Sequence, residues 1–194
     1  PNNPTGTWVG LKEIERLLSA VPKSVWVVID EAYFEYLDHP QYGSALCLME
    51  RFENLIVTRT FSKIYGLASL RLGYSVTSSR FADLLNRARQ PFNVGGLTLA
   101  AGVVALSDEE FVTESRQKNE TGLSQLEKGL DELGLSWIPS GGNFLAVDCD
   151  RDGQELFREL LKEGVIIRAI GEYGMPNYIR VSVGLPEENS RFLN

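Results

Sequence analysis

Apolar residues recur at helical spacing near the start of the chain. Leu11, Ile14, Leu17, Leu18 and Val21 fall on one face, and Lys12, Glu13, Glu15 and Arg16 fill the other. Pro22 follows, so the pattern predicts a helix that stops there. The period then changes. Val25 to Asp30, VWVVID, is a short apolar run rich in β-branched residues, the pattern of a strand buried on both faces, as in a parallel sheet. Asn54 to Thr60, NLIVTRT, repeats it, and Leu72 to Ser78, LGYSVTS, is a third and weaker strand. Helical spacing resumes at Phe81, Leu84, Leu85 and Ala88, with Ser79 as N-cap. Pro91 to Gly96, PFNVGG, breaks it, and a second helix covers Leu97 to Leu106. Ser107 is then read as the cap of a long acidic amphipathic helix running to about Leu133, with Gly134 as its C′ residue.

After Gly134 the character shifts. SWIP, NFLAVD, a helix from Gln154 to Lys162, GVIIRAI and NYIRVSVG give a β-β-α-β-β order of short elements. The order predicts an α/β fold with a mostly parallel sheet over residues 1–106, a long connecting helix over 107–134, and a smaller α+β domain over 135–194.

Composition narrows the function. The chain has 194 residues, 43% hydrophobic and 23% charged, with a formal net charge of −7. That balance is ordinary for a globular protein and argues against nucleic acid as a partner. No apolar run reaches membrane-spanning length and no signal peptide is visible, so no membrane partner and a cytoplasmic location are expected. Cys47 and Cys149 are far apart with no CxxC spacing, which points to reduced, mostly buried thiols and no metal site. His39, the single histidine, sits in a polar loop with no second histidine to form a triad or metal pair, which removes most hydrolase mechanisms that need a histidine base. The chain opens inside a turn motif, PNNPTGTW, and closes inside what reads as a helix start, so a fragment of a longer protein is expected.

Three loops carry candidate chemistry. Asp30 ends the first apolar run, where an open α/β sheet meets its ligands, and Tyr33 follows three residues on. Asp30 reads equally as the cap of a helix starting EAYFEYL. The second run delivers TFSK: Thr60 and Ser62 offer hydroxyls to a phosphate, Arg71 offers a bidentate fork, and Lys63 either lies beside that anion or is a surface lysine on a loop. The third loop is the Asn3 to Gly6 turn, where Pro4 fixes φ, Gly6 permits a left-handed turn and Asn3 carries an amide donor.

Taken together, NNPTG, DEAY and TFSK with its arginine resemble the fold type I pyridoxal-phosphate enzymes of the aspartate aminotransferase superfamily. PNNPTG, VVIDEAYFEY, TFSKIYGLASLRLGY, GGNFLAVD, GVIIR and YIRVSVG are closer still to histidinol-phosphate aminotransferases. The likeness runs along essentially the whole chain. It implies that residues 1–106 are part of a cofactor-binding large domain and that pyridoxal 5′-phosphate is the cofactor.

The resemblance also implies roles for single residues. Lys63 forms the internal aldimine, Asp30 pairs with the pyridine nitrogen, and Tyr33 and Asn3 bond the ring's phenolic oxygen. Thr60, Ser62 and Arg71 hold the phosphate, and Arg180 receives the substrate's α-carboxylate. Arg168 is either a contact for the phosphate end of the substrate or a surface arginine in an ion pair. The implied reaction is transamination of histidinol phosphate, or an aromatic amino acid, with 2-oxoglutarate or glutamate, in a homodimer with small amino-acid and keto-acid substrates. PFNVGG departs from the family's usual sequence, which puts substrate preference in question. A threonine-phosphate decarboxylase of the same superfamily shares the lysine, aspartate and arginine. A non-catalytic fragment that acts only with a partner chain is the remaining alternative.

Overall fold

Leu11–Ala20 forms helix α1, and its apolar stripe seats Ile14 and Leu18 in the interior. Strand β1, Val27–Asp30, and strand β2, Leu55–Thr60, run parallel in register, with Val27 opposite Leu55 and Asp30 opposite Thr58. Strand β3, Gly73–Thr77, returns antiparallel to β2, giving a three-stranded sheet in the order β1-β2-β3. Helices α2, Ser79–Ala88, α3, Gly96–Leu106, and α4, Glu109–Glu132, follow. Beyond them come β4, Ser136–Ile138, β5, Phe144–Asp148, α5, Gly153–Lys162, β6, Arg168–Ala169, β7, Tyr178–Ser182, and α6, Pro186–Leu193. This computed structural model describes residues 1–194. No helix is long and apolar enough to cross a membrane.

The chain divides into two compact units, Val9–Thr113 and Pro1–Trp8 with Glu114–Asn194. The first unit packs Ile14, Leu18, Ala45, Leu48, Leu55 and Val57 beneath the parallel pair. The second builds a four-stranded antiparallel sheet in the order β4-β5-β7-β6, and its core joins Leu126 and Leu130 of α4 to Leu145, Val147, Ile179 and Val181. The opening turn thus belongs with the C-terminal elements, not with residues 9–106 as the sequence pattern suggested. Two bonds hold it there: Gly141 N–H donates to the Gly6 carbonyl at 2.9 Å, and Arg180 donates to Asn3 at 2.7 Å. Gly6 adopts φ +77°, and a Cβ at that position would collide with Ser140.

Several local expectations are corrected. The first sheet is mixed, with one parallel and one antiparallel pairing, where a mostly parallel one was expected. β1 is an edge strand that alternates: Val27 and Ile29 are half-buried while Val28 is 56% exposed, so it is not covered on both faces. Val25 and Trp26 lie outside it. The cap of α2 is Ser78, not Ser79. At the start of α4 it is Asp108, not Ser107, that accepts the N–H of Phe111, at 3.1 Å. Cys47 is exposed, and only Cys149 is buried. Gly134 does end α4 with φ +70°, and Leu135 N–H returns to the Leu130 carbonyl.

α5 begins with an unambiguous cap, the Asp152 carboxylate accepting Glu155 N–H at 2.8 Å. Asp152→Ala is expected to cost about 1 kcal/mol in urea unfolding, with Asp152→Asn recovering most of it.

Candidate active site

Parallel pairing puts the carboxyl ends of β1 and β2 at one edge of the first sheet, and the chemistry collects there. Asp30 closes β1. Its Oδ1 accepts from Ala32 N–H at 3.1 Å and from the Thr58 hydroxyl at 3.2 Å. Those two donors fix the carboxylate through a single oxygen. Asp30 caps no helix, since the following turn is a single 3₁₀ segment, Phe34–Tyr36, whose N-cap is Tyr33. Tyr33 is buried at 6% exposure and presents its ring to Lys63, whose Nζ lies 5.1 Å from the ring centroid. That contact holds the lysine side chain half-buried rather than in solvent.

The loop after β2 is built by its own hydroxyls. The Thr60 hydroxyl accepts from Ser62 N–H at 3.1 Å and is 3.4 Å from the Leu72 carbonyl as donor. Its proton is engaged locally, so donation to a phosphate would displace the Leu72 contact. Arg71 Nη1 donates to the Ala68 carbonyl at 2.7 Å and reaches Ser62 Oγ at 3.4 Å. Arg71 sits at φ +51°, left-handed and costly for a side-chain-bearing residue, of order 1 kcal/mol or more. The strained backbone aims a guanidinium at a hydroxyl, a donor set for an anion.

In the second unit, Arg180 of β7 donates through Nη1 to Asn3 Oδ1 and lies over the Phe144 ring at 5.2 Å. With Oδ1 occupied, the Asn3 amide is oriented and its nitrogen is the group left to donate. Arg180 Nε is buried without a partner. An unpaired charged donor in the interior is costly. Arg168 lies opposite Arg180 in the β6–β7 register. Its side chain is 54% exposed and paired with Glu172, which raises the pKa of the guanidinium. The ion-pair reading of Arg168 therefore has a partner in the structure.

Pattern reading missed Thr58, Glu31 and Arg59. The signal for Thr58 was its place two residues before Thr60, on the same face of a strand. Glu31 is 4% exposed and accepts both Arg59 Nε at 3.0 Å and Nη2 at 2.8 Å. Arg59 also approaches Glu35 at 3.6 Å. Burial alone would lower the Arg59 pKa, but the bond and charge of Glu31 and the charge of Glu35 outweigh it. Burial raises Glu35, and burial with the Glu35 charge pushes the Tyr65 hydroxyl up to about 12.

The family model for aminotransferase class I and II matches residues 1–193. The chain is 56% identical over 193 residues to histidinol-phosphate aminotransferase 2 of Pseudomonas aeruginosa, covering 100% of this chain and 52% of the relative. It is 50% identical to histidinol-phosphate aminotransferase 1 of Nitrosococcus oceani over 193 residues, with coverage of 100% and 52%. The crystal structure of histidinol-phosphate aminotransferase from Sinorhizobium meliloti in complex with pyridoxal-5′-phosphate superposes with a TM-score of 0.92 at 29% identity, covering 100% of this chain and 53% of that one. The chain spans about half the length of the curated relatives it matches.

Proposed function

The chain belongs to the class I and II aminotransferases, and from that premise we propose that the protein carrying it transfers an amino group between histidinol phosphate, or an aromatic amino acid, and 2-oxoglutarate, with pyridoxal 5′-phosphate held at Lys63. The observation that carries this reading is the placement of Lys63. Its amine is half-buried against Tyr33, it follows Ser62 directly, and it lies on the loop leaving the strand beside Asp30. The curated relatives named above are aminotransferases, which favours this reaction over decarboxylation.

The side chains fit the group. Asp30 offers its remaining oxygen to a ring N–H and keeps that site protonated. Ser62 and Arg71 supply hydroxyl and guanidinium donors to a phosphate, and Tyr33 and Asn3 supply donors to a phenolic oxygen. When bound, the cofactor supplies an electron sink for the pair left on the substrate α-carbon as its proton departs. Lys63 Nζ is the base that takes that proton and hands it on. Arg180 fixes an amino-acid substrate such as glutamate by its α-carboxylate, so the α-hydrogen is presented to one nitrogen only, whereas histidinol phosphate, which has no carboxylate, is held by its phosphate. The reading takes the enzyme to be a cytoplasmic homodimer, in line with the unpaired cysteines and with the exposed Phe92, Leu97, Val103 and Val104 in or next to α3.

The test is chemical. Pyridoxal phosphate added to the chain and fixed with borohydride is expected on Lys63 in preference to Lys12 or Lys128. Labelling that ignores Lys63 overturns the proposal.

Arg168 is proposed to meet the phosphate end of histidinol phosphate. Arg168→Ala is expected to raise KM for that substrate by roughly 10- to 100-fold and to leave KM for aromatic amino acids nearly unchanged. Equal losses for both would leave Arg168 as the partner of Glu172 alone.

A further inference from the structure

Buried ion pairs seldom stabilise a fold more than apolar side chains of the same size, so one placed beside a site needs another reason. Glu31 is 4% exposed, and its carboxylate is saturated: the Ser44 hydroxyl donates at 2.8 Å, Ala45 N–H at 2.7 Å, and Arg59 through two nitrogens. Arg59 does more than pair with it. Its guanidinium covers the Phe34 ring at 4.3 Å, donates to Ser44 Oγ at 3.0 Å and approaches Glu35 at 3.6 Å.

The geometry separates the loop into two sets. Thr58 and Arg59 are consecutive in β2, so they point to opposite faces of the sheet. Asp30 bonds Thr58 on one face, and Glu31 bonds Arg59 on the other. Between them the Glu31 N–H donates to the Thr58 carbonyl at 2.9 Å. Arg59 therefore gathers Glu31, Phe34 and Glu35. In the same segment Asp30 is bonded by Thr58, and Tyr33 presents its ring to Lys63.

We propose that the Glu31–Arg59 pair is a positioning device. From the far face of β2 it clamps the backbone of residues 31–35, and so sets Asp30 and Tyr33 relative to Lys63. The inference rests on the aminotransferase reading of those three residues. Neither Glu31 nor Arg59 touches a reacting atom; both act through the loop.

The experiment measures selectivity of labelling, not activity. Wild type, Glu31→Gln, Arg59→Met and Arg59→Lys are treated with pyridoxal phosphate and borohydride, and peptide mapping gives label at Lys63 relative to Lys12 and Lys128. Circular dichroism checks that each variant is folded. Glu31→Gln and Arg59→Met are expected to lose on the order of tenfold in that ratio. Arg59→Lys keeps the charge without the fork and is expected to fall between them and wild type. It carries the test if the other two do not fold. Arg51→Met removes a surface pair with Glu15 and is expected to change nothing. Folded variants that label Lys63 as selectively as wild type overturn the inference while leaving the functional reading intact. A wild-type chain with no preference for Lys63 overturns the functional reading, and the inference falls with it.

Discussion

Lys63→Ala is expected to lower transamination by at least about 1000-fold in any active polypeptide that carries this segment. The lysine is asked to do two jobs, covalent attachment and proton transfer, and no neighbour can stand in. The chain's one histidine, His39, is exposed and accepts a bond from Gln41 within its own loop. Tyr33 faces Lys63 with its ring. Asp30 is fixed by two donors at the end of β1. The Ser62–Arg71 pair does not depend on Lys63, so the variant should still bind pyridoxal phosphate without a bond to it. Lys63→Arg should be as inactive as the alanine variant, because a guanidinium keeps its proton at any working pH. Single-turnover assays give the rate, and equilibrium dialysis gives the binding. An alanine variant within tenfold of wild type would remove Lys63 from the mechanism.

The second large effect is expected at Arg180. If Arg180 receives the α-carboxylate as proposed, Arg180→Ala should cut kcat/KM by about 100- to 1000-fold for every substrate with that group, since its charge-assisted bonds would be lost. Arg180→Lys keeps the charge but loses the fork, and should still lose tenfold or so. The structure adds a secondary consequence. Asn3 Oδ1 would lose the donor that orients its amide, and Phe144 would lose the cation above its ring. Asn3→Ala should therefore reproduce only part of the loss. An Arg180→Ala effect that spares some of the α-carboxylate substrates would point to a side-chain contact, and the carboxylate assignment would fail.

How much of this was legible in the sequence depends on the range of the interaction that decides each feature. α1 and β2 follow from a local period, and the structure gives them with boundaries shifted by at most a residue or so. The α-helix caps were missed by one position because serine and aspartate compete for them, and the donor geometry that chooses is not written locally. VWVVID reads as a strand covered on both faces, yet what covers Val28 depends on where β1 lies in the sheet. The direction of β3 was equally hidden, since parallel and antiparallel strands share one apolar pattern. Asp30, Tyr33, Ser62, Lys63 and Arg71 stand out as candidates because each lies within a short motif, and the structure brings Tyr33 to Lys63 and Ser62 to Arg71. Thr58 and the Glu31–Arg59 pair emerge only from the β1–β2 register. The Asn3–Arg180 bond joins residues 177 apart in sequence, beyond the reach of any local period.

Position 71 sets two selections against each other. Its backbone, at φ +51°, is one that glycine adopts freely, while its side chain is the guanidinium beside Ser62. A library sorted for heat resistance alone would enrich glycine there, relieving about 1 kcal/mol of backbone strain and discarding the anion donor. A library sorted for cofactor retention would keep the arginine. Opposite outcomes at one codon mark a residue held for function at the expense of stability.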